Sequence, residues 1–249
     1  MPQMEVKVRF KTKYLLGILA ATAVLLIGMG IVVALLLTYT SYKTAVGIIP
    51  FFNMDLESTI TSYYSSFILL ISSCMLALIT LNRKKVGDRY WRHWCSLALG
   101  FLFMSIDESA SIHEFLANVP LHYLHISARI NFSIAILGFI VTLLLFVFYL
   151  KFLLYLPAST RKRFIAAGII YVSGAFGAEL VGGIISLYSH NLDTGIYLAE
   201  VVIEESLEIL GIVFFIKCLF LYIEENLVNT RAVFSLLAEQ TNSNVLVKR

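Results

Sequence analysis

Charge is scarce in this chain. Only 14% of its 249 residues are Asp, Glu, Lys or Arg, while 59% are hydrophobic and the mean hydropathy is +0.85. That shortage excludes an ordinary soluble domain, whose surface needs about twice as much charge, and points to an integral membrane protein. Cysteine is nearly missing too. Cys74, Cys95 and Cys218 are an odd number with no C-x-x-C spacing, which excludes a disulfide framework and a thiolate zinc site. There is no G-x-G-x-x-G loop, no Walker loop and no low-complexity tract, so no nucleotide-binding module is expected. The net charge of +3 calls for no nucleic-acid partner.

Long apolar runs take the place of charge. A span of about twenty apolar residues crosses the hydrocarbon core, and six runs qualify: 14–38, 58–81, 94–117, 130–153, 164–188 and 196–222. The expected fold is an all-α, polytopic bundle of six transmembrane helices. It forms one membrane domain, residues 1–222, followed by a polar cytoplasmic tail, 223–249. The first run is too long for the core of a cleaved signal peptide and is expected to stay as the first span. With the N-terminus in the cytoplasm, Lys7, Arg9, Lys11 and Lys13, then Arg83, Lys84, Lys85, Arg89 and Arg92, then Lys151, Arg161, Lys162 and Arg163, then Lys217, Arg231, Lys248 and Arg249 all fall on that side; Lys43 and Arg129 fall opposite. The positive-inside rule therefore expects both termini in the cytoplasm of a plasma or inner membrane, with basic loops facing anionic headgroups.

Half of the sixteen acidic residues break this apolar pattern. Asp107, Glu108, Glu114, Glu179, Glu200, Glu204, Glu205 and Glu208 lie inside the runs, and no Lys or Arg lies mid-run to balance them. A carboxylate in a bilayer is costly unless it is protonated, paired or holding a cation, so the eight read as a cation- or proton-binding site. At a rise of 1.5 Å per residue, Asp107, Glu179 and Glu208 all lie roughly 20–22 Å from the cytoplasmic ends of spans 3, 5 and 6. Span 3 is polar nearly all round at this level and is expected to be the central helix. Glu200, Glu204 and Glu208 share one face of span 6 with Gly211, expected to look toward span 3.

His113 stands among the acids, and His122, His125 and His190 lie in the outer connections. Mixed carboxylate and imidazole groups suit zinc, manganese or iron, which makes Asp107, Glu108, His113, Glu204 and Glu208 the expected ligands of a divalent metal. The Glu-x-x-His pair of di-iron bundles is absent. A short echo between Ile106-Asp107-Glu108-Ser109 in span 3 and Ile203-Glu204-Glu205-Ser206 in span 6 resembles the two halves of an inverted transporter repeat. The leading expectation is binding or transport of a divalent metal ion or protons, with the bilayer and the cation as partners. The alternatives are a membrane metalloenzyme, whose catalytic residues the sequence does not single out, and an accessory subunit in a homo-oligomer or larger membrane complex.

Overall fold

The computed structural model describes residues 12–41, 46–112, 130–178, 181 and 194–226; between 130 and 139 it describes the backbone alone. The described residues are helical, with no strand among them. In chain order the helices are α1 (Thr12–Tyr39), α2 (Ile49–Phe52), α3 (Ile60–Lys85), α4 (Trp91–Ala110), α5 (Ile130–Tyr155), α6 (Ala158–Val172) and α7 (Thr194–Asn226). A π-helical turn, Ser173–Ala178, continues α6. Each of the six apolar runs overlaps a helix among the described residues. Three of them, Thr12–Tyr39, Ile60–Lys85 and Gly195–Asn226, are long and apolar enough to cross a membrane, and Ile140–Tyr155 is a shorter apolar stretch.

Local chemistry sets the helix ends. Thr59 caps α3 by accepting from Ser62 N at 3.2 Å, and Arg83, Lys84 and Lys85 sit in the last turn, where the helix dipole favours cations. Pro50 opens α2 after Gly47, whose φ of +66° suits a residue without Cβ. At the end of α4, Ser111 adopts the left-handed region with φ 50°, so the α-helix stops at Ala110, seven residues before the expected end of span 3.

Among the described residues the hub is α7, which packs on α1, α3, α6 and the π turn, whereas the main backbone neighbour of α4 is α3. At 33 residues α7 extends for roughly 50 Å, well beyond a hydrocarbon core of about 30 Å. By contrast α1 buries one stripe, Leu19, Ala23, Leu26, Gly30 and Val33, and leaves its other apolar faces outward. Such a helix is uniformly apolar, so no periodicity marks its buried side.

Between helices in a bilayer, close approach and hydrogen bonds replace the hydrophobic drive. Ser66 Oγ donates to Ser105 O at 2.7 Å, Ser105 Oγ donates back to Ser66 O at 2.9 Å, and Ser73 Oγ donates to Ala98 O at 2.7 Å. These bonds join α3 to α4, each contributing about 0.6 kcal/mol on the general scale for membrane proteins. Ser66 and Ser73 of span 2 thus serve helix packing. The largest fully buried side chain is Trp94, whose ring meets Phe152 at 5.0 Å, Tyr222 at 4.8 Å and Phe164 at 6.1 Å, joining α4, α5, α6 and α7.

Candidate functional site

Two glycines decide what α7 presents to its neighbours. A Cβ on Gly211 would stand 2.8 Å from Tyr171 N, and one on Gly174 would stand 2.7 Å from Glu204 O and 2.9 Å from Leu207 Cβ. Neither contact is possible for a larger residue without moving backbone, so the helices touch only because both positions lack a side chain. This crossing sets Tyr171 and the π turn against the Glu204–Gly211 face. The acidic face of span 6 therefore meets α6 along Glu204–Gly211, while Glu208 is also within electrostatic reach of Glu108 in span 3, the span this face was expected to look toward.

The register also differs from the depth reckoning. Tyr171 lies opposite Gly211, and Gly174 lies opposite Leu207, so Tyr222 extrapolates to a level near residue 160 instead of Phe164. Span 5 is displaced toward the acidic end by about four residues, roughly 6 Å. Past Val172 the π turn adds a further offset, because its wider hydrogen-bonded ring departs from the α-helical rotation of 100° per residue.

At the crossing the Tyr171 hydroxyl donates a hydrogen bond to the Glu208 carboxyl. Three further carboxyl groups bear on Glu208 electrostatically: Glu205 and Glu204 on α7, and Glu108 on α4. Of the adjacent pair in α4, Glu108 is thus the group coupled to Glu208; Asp107, on the same turn, is half-buried. Glu205 has Glu204 and Glu57 as its charge neighbours. Glu200, half-buried near the start of α7, joins Glu204 and Asp55 around Tyr197.

Asp55 and Glu57 were missed by the sequence reading, which confined itself to the apolar runs. They belong to the α2–α3 connection, and three contacts pin that segment at the acidic end. Buried Met54 fills the notch left by Gly30, where an added Cβ would stand 2.6 Å from its sulfur. Tyr197 Oη donates to Asp55 Oδ1 at 2.5 Å, and Ser111 Oγ donates to Glu57 Oε2 at 3.0 Å. Ser58 and Ser111 both hold positive φ, 59° and 50°, a conformation few residues other than glycine adopt. A signal was present: Asp55 and Glu57 immediately precede span 2 on the side where the other acids gather. Tyr171 had no such signal, because the depth count put it below the acids.

The remaining expected groups, His113, Glu114 and Glu179, together with Arg129, His122, His125 and His190, lie outside the described residues. Among the described residues no three His, Cys, Asp or Glu side chains are grouped closely enough to hold a metal ion. What the described part brings together is a chain of coupled carboxyls, from Glu57 at the mouth through Glu205 and Glu204 to Glu208 and Glu108, ending on a tyrosine hydroxyl. Such a chain can share protons or screen its charges with a cation.

No curated protein and no solved structure matches this chain. One family profile does, over residues 12–222, which takes in every helix from α1 to all but the last turn of α7, with the whole carboxyl chain inside it. The protein belongs to that family, the domain of unknown function DUF8692.

Proposed function

We propose that this protein is a six-span, multi-pass protein of the plasma or inner membrane, with both termini in the cytoplasm, that binds and exchanges a cation at the carboxyls of α4 and α7. The observation that carries this reading is Glu208. It lies in the interior of a membrane-length helix, is hydrogen-bonded by Tyr171, and has Glu204, Glu205 and Glu108 among its charged neighbours. Like charges at such sites are tolerated when protons or a cation are shared among them, and intramembrane acids of this kind mark ion pathways. The tyrosine bond favours a proton as the cation. An oxygen that already accepts a hydrogen bond is a poorer metal ligand, while a carboxyl and a phenol together can share a proton.

The basic residues support the orientation. Arg83, Lys84 and Lys85 at the end of α3, Arg89 in the α3–α4 connection, Arg92 at the start of α4, and Arg161, Lys162 and Arg163 in α6 stand at the end opposite the carboxyl chain. Cysteines placed at 82–92 are expected to react with impermeant reagents only after the cells are opened. Labelling from outside intact cells would reverse the assignment.

Function is tested in proteoliposomes under a pH gradient. Wild-type protein is expected to dissipate the gradient, and Glu208→Gln, which keeps size but removes the titrating group, is expected to abolish this while the protein stays folded. Equal flux in the two would refute the proton reading. Tightly bound zinc, manganese or iron in the purified protein, lost in Glu208→Gln, would replace it with the metal reading built on Asp107, Glu108, His113, Glu204 and Glu208.

A further inference from the structure

Buried hydroxyls on a membrane helix normally satisfy themselves by bonding to the carbonyl one turn back. Ser72 and Thr80 of α3 do this, donating to Ile68 O at 2.9 Å and to Leu76 O at 2.8 Å. Thr61 and Ser65, on the same helix, do not. They are 1% and 4% exposed, yet Thr61 Oγ1 and Ser65 Oγ have no protein partner, and neither has the buried Ser206 Oγ of α7. An orphaned buried hydroxyl costs about 1–3 kcal/mol, so a native structure rarely leaves one without a polar partner.

The position of the three hydroxyls identifies that partner. Ser66 and Ser73 turn one face of α3 to α4, and the stripe holding Thr61, Ser65, Ile68 and Ser72 looks the other way, into the core that α3 shares with α1 and α7. On α7, Glu205 shares its stripe with the buried Ile209, Ile212 and Ile216, and Ser206 follows it directly. Glu57, a charge neighbour of Glu205, comes one turn before Thr61. Glu57, Thr61 and Ser65 thus follow one another along α3 and the segment before it, and Glu205 and Ser206 lie on α7, which packs against α3, with Glu57 and Glu205 in electrostatic reach of one another.

Water fits this setting, since a buried water molecule needs two to four polar partners and these side chains supply them. We propose that Thr61, Ser65 and Ser206 hold a short file of water molecules that connects Glu57 at the mouth with Glu205, making Glu205 the water-connected carboxyl of the site and Glu208, held by Tyr171, the sequestered one. A proton entering the file from bulk water displaces another at its inner end, which passes to a Glu205 carboxylate oxygen. Each water keeps two hydrogens, and nothing is oxidised or reduced. The inference rests on the proton reading above, and it adds a route and an order of access.

Infrared difference spectroscopy of the full chain in a bilayer separates the two. The carboxylic C=O band of Glu205 is assigned by its loss in Glu205→Gln, and that of Glu208 by its loss in Glu208→Gln. After transfer to D2O the Glu205 band is expected to shift first and the Glu208 band later. Thr61→Val with Ser65→Ala is expected to slow the Glu205 shift about tenfold or more, the scale of a lost step in a hydrogen-bonded relay. Thr160→Val is the control, because Thr160 Oγ1 is an equally buried orphan at the opposite end. Should the double variant fail to fold, Ser206→Ala provides the same comparison. Unchanged exchange in a folded variant, or a Glu208 band that shifts first, would overturn the file and leave the proton reading standing. Absence of any carboxylic band lost in either Gln variant, at every pH tested, would overturn both.

Discussion

The two ends of this bundle treat charge in opposite ways. At the basic end the cations described below find complementary partners. Arg83 stands 3.8 Å from Asp88 and 5.3 Å from the Tyr222 ring, Lys84 and Arg92 lie at 5.0 and 5.6 Å from the Trp91 ring, and Arg163 pairs with Glu225 at 2.9 Å. Beneath them Trp94 closes a layer of aromatic rings. At the acidic end the described residues bring carboxyls within electrostatic reach of carboxyls, and Tyr171, Tyr197 and Ser111 are among the groups that donate to them. The first arrangement lowers free energy as it stands. The second gathers like charges, an arrangement that intramembrane sites use when protons or a cation are shared, so the proposed chemistry is placed at the acidic end and anchoring at the basic end.

Substitutions can break this contrast, starting with the basic end. Trp94→Ala removes the ring at which four helices meet and is expected to lower stability by about 3–5 kcal/mol, the range for a buried aromatic, read as a large drop in detergent melting temperature. Gly211→Ala is next. Its Cβ would press on Tyr171 backbone atoms at 2.8–2.9 Å, so a loss of about 1–3 kcal/mol is expected, together with separation of Tyr171 from Glu208. Gly30→Ala sharpens the point, because the nearest atoms its Cβ would meet belong to the end of the flexible Met54 side chain, and it should melt near wild type.

Glu208→Gln should affect function far more than folding. With one of four coupled carboxyls made neutral, melting temperature is expected to hold or rise while proton exchange is lost, the reverse of the pattern for Trp94→Ala. A variant that unfolded would turn the carboxyl chain into a structural network. The smallest effect belongs to Glu225→Gln, which removes an exposed ion pair at the basic end; a change within about 1 kcal/mol, diminishing further in high salt, is expected from chemical denaturation.

Much of this was legible in the residues. The helical class follows from composition and run length, because a backbone in hydrocarbon must satisfy its own hydrogen bonds. The carboxyls of α4 and α7 were legible because charge inside an apolar run is conspicuous. Asp55 and Glu57 were hidden in a connection, where acids are ordinary and only the pinning of Met54 against Gly30 reveals their role. The hub was also misjudged: span 3 has the more polar circumference, but the closeness of α7 to its neighbours depends on Gly174 and Gly211 meeting across helices far apart in sequence.

By itself, then, the sequence determined an all-helical protein with membrane-length helices and acids concentrated in two of them, since these depend on hydropathy and local hydrogen bonding. Tertiary structure alone decided which face of α7 meets which helix, that Tyr171 donates to Glu208, and that Glu57 reaches Glu205. A uniformly apolar helix carries no mark of its rotation. The angle and height at which two helices cross come from where a missing side chain lets backbone approach backbone, and a π turn shifts even the helical count.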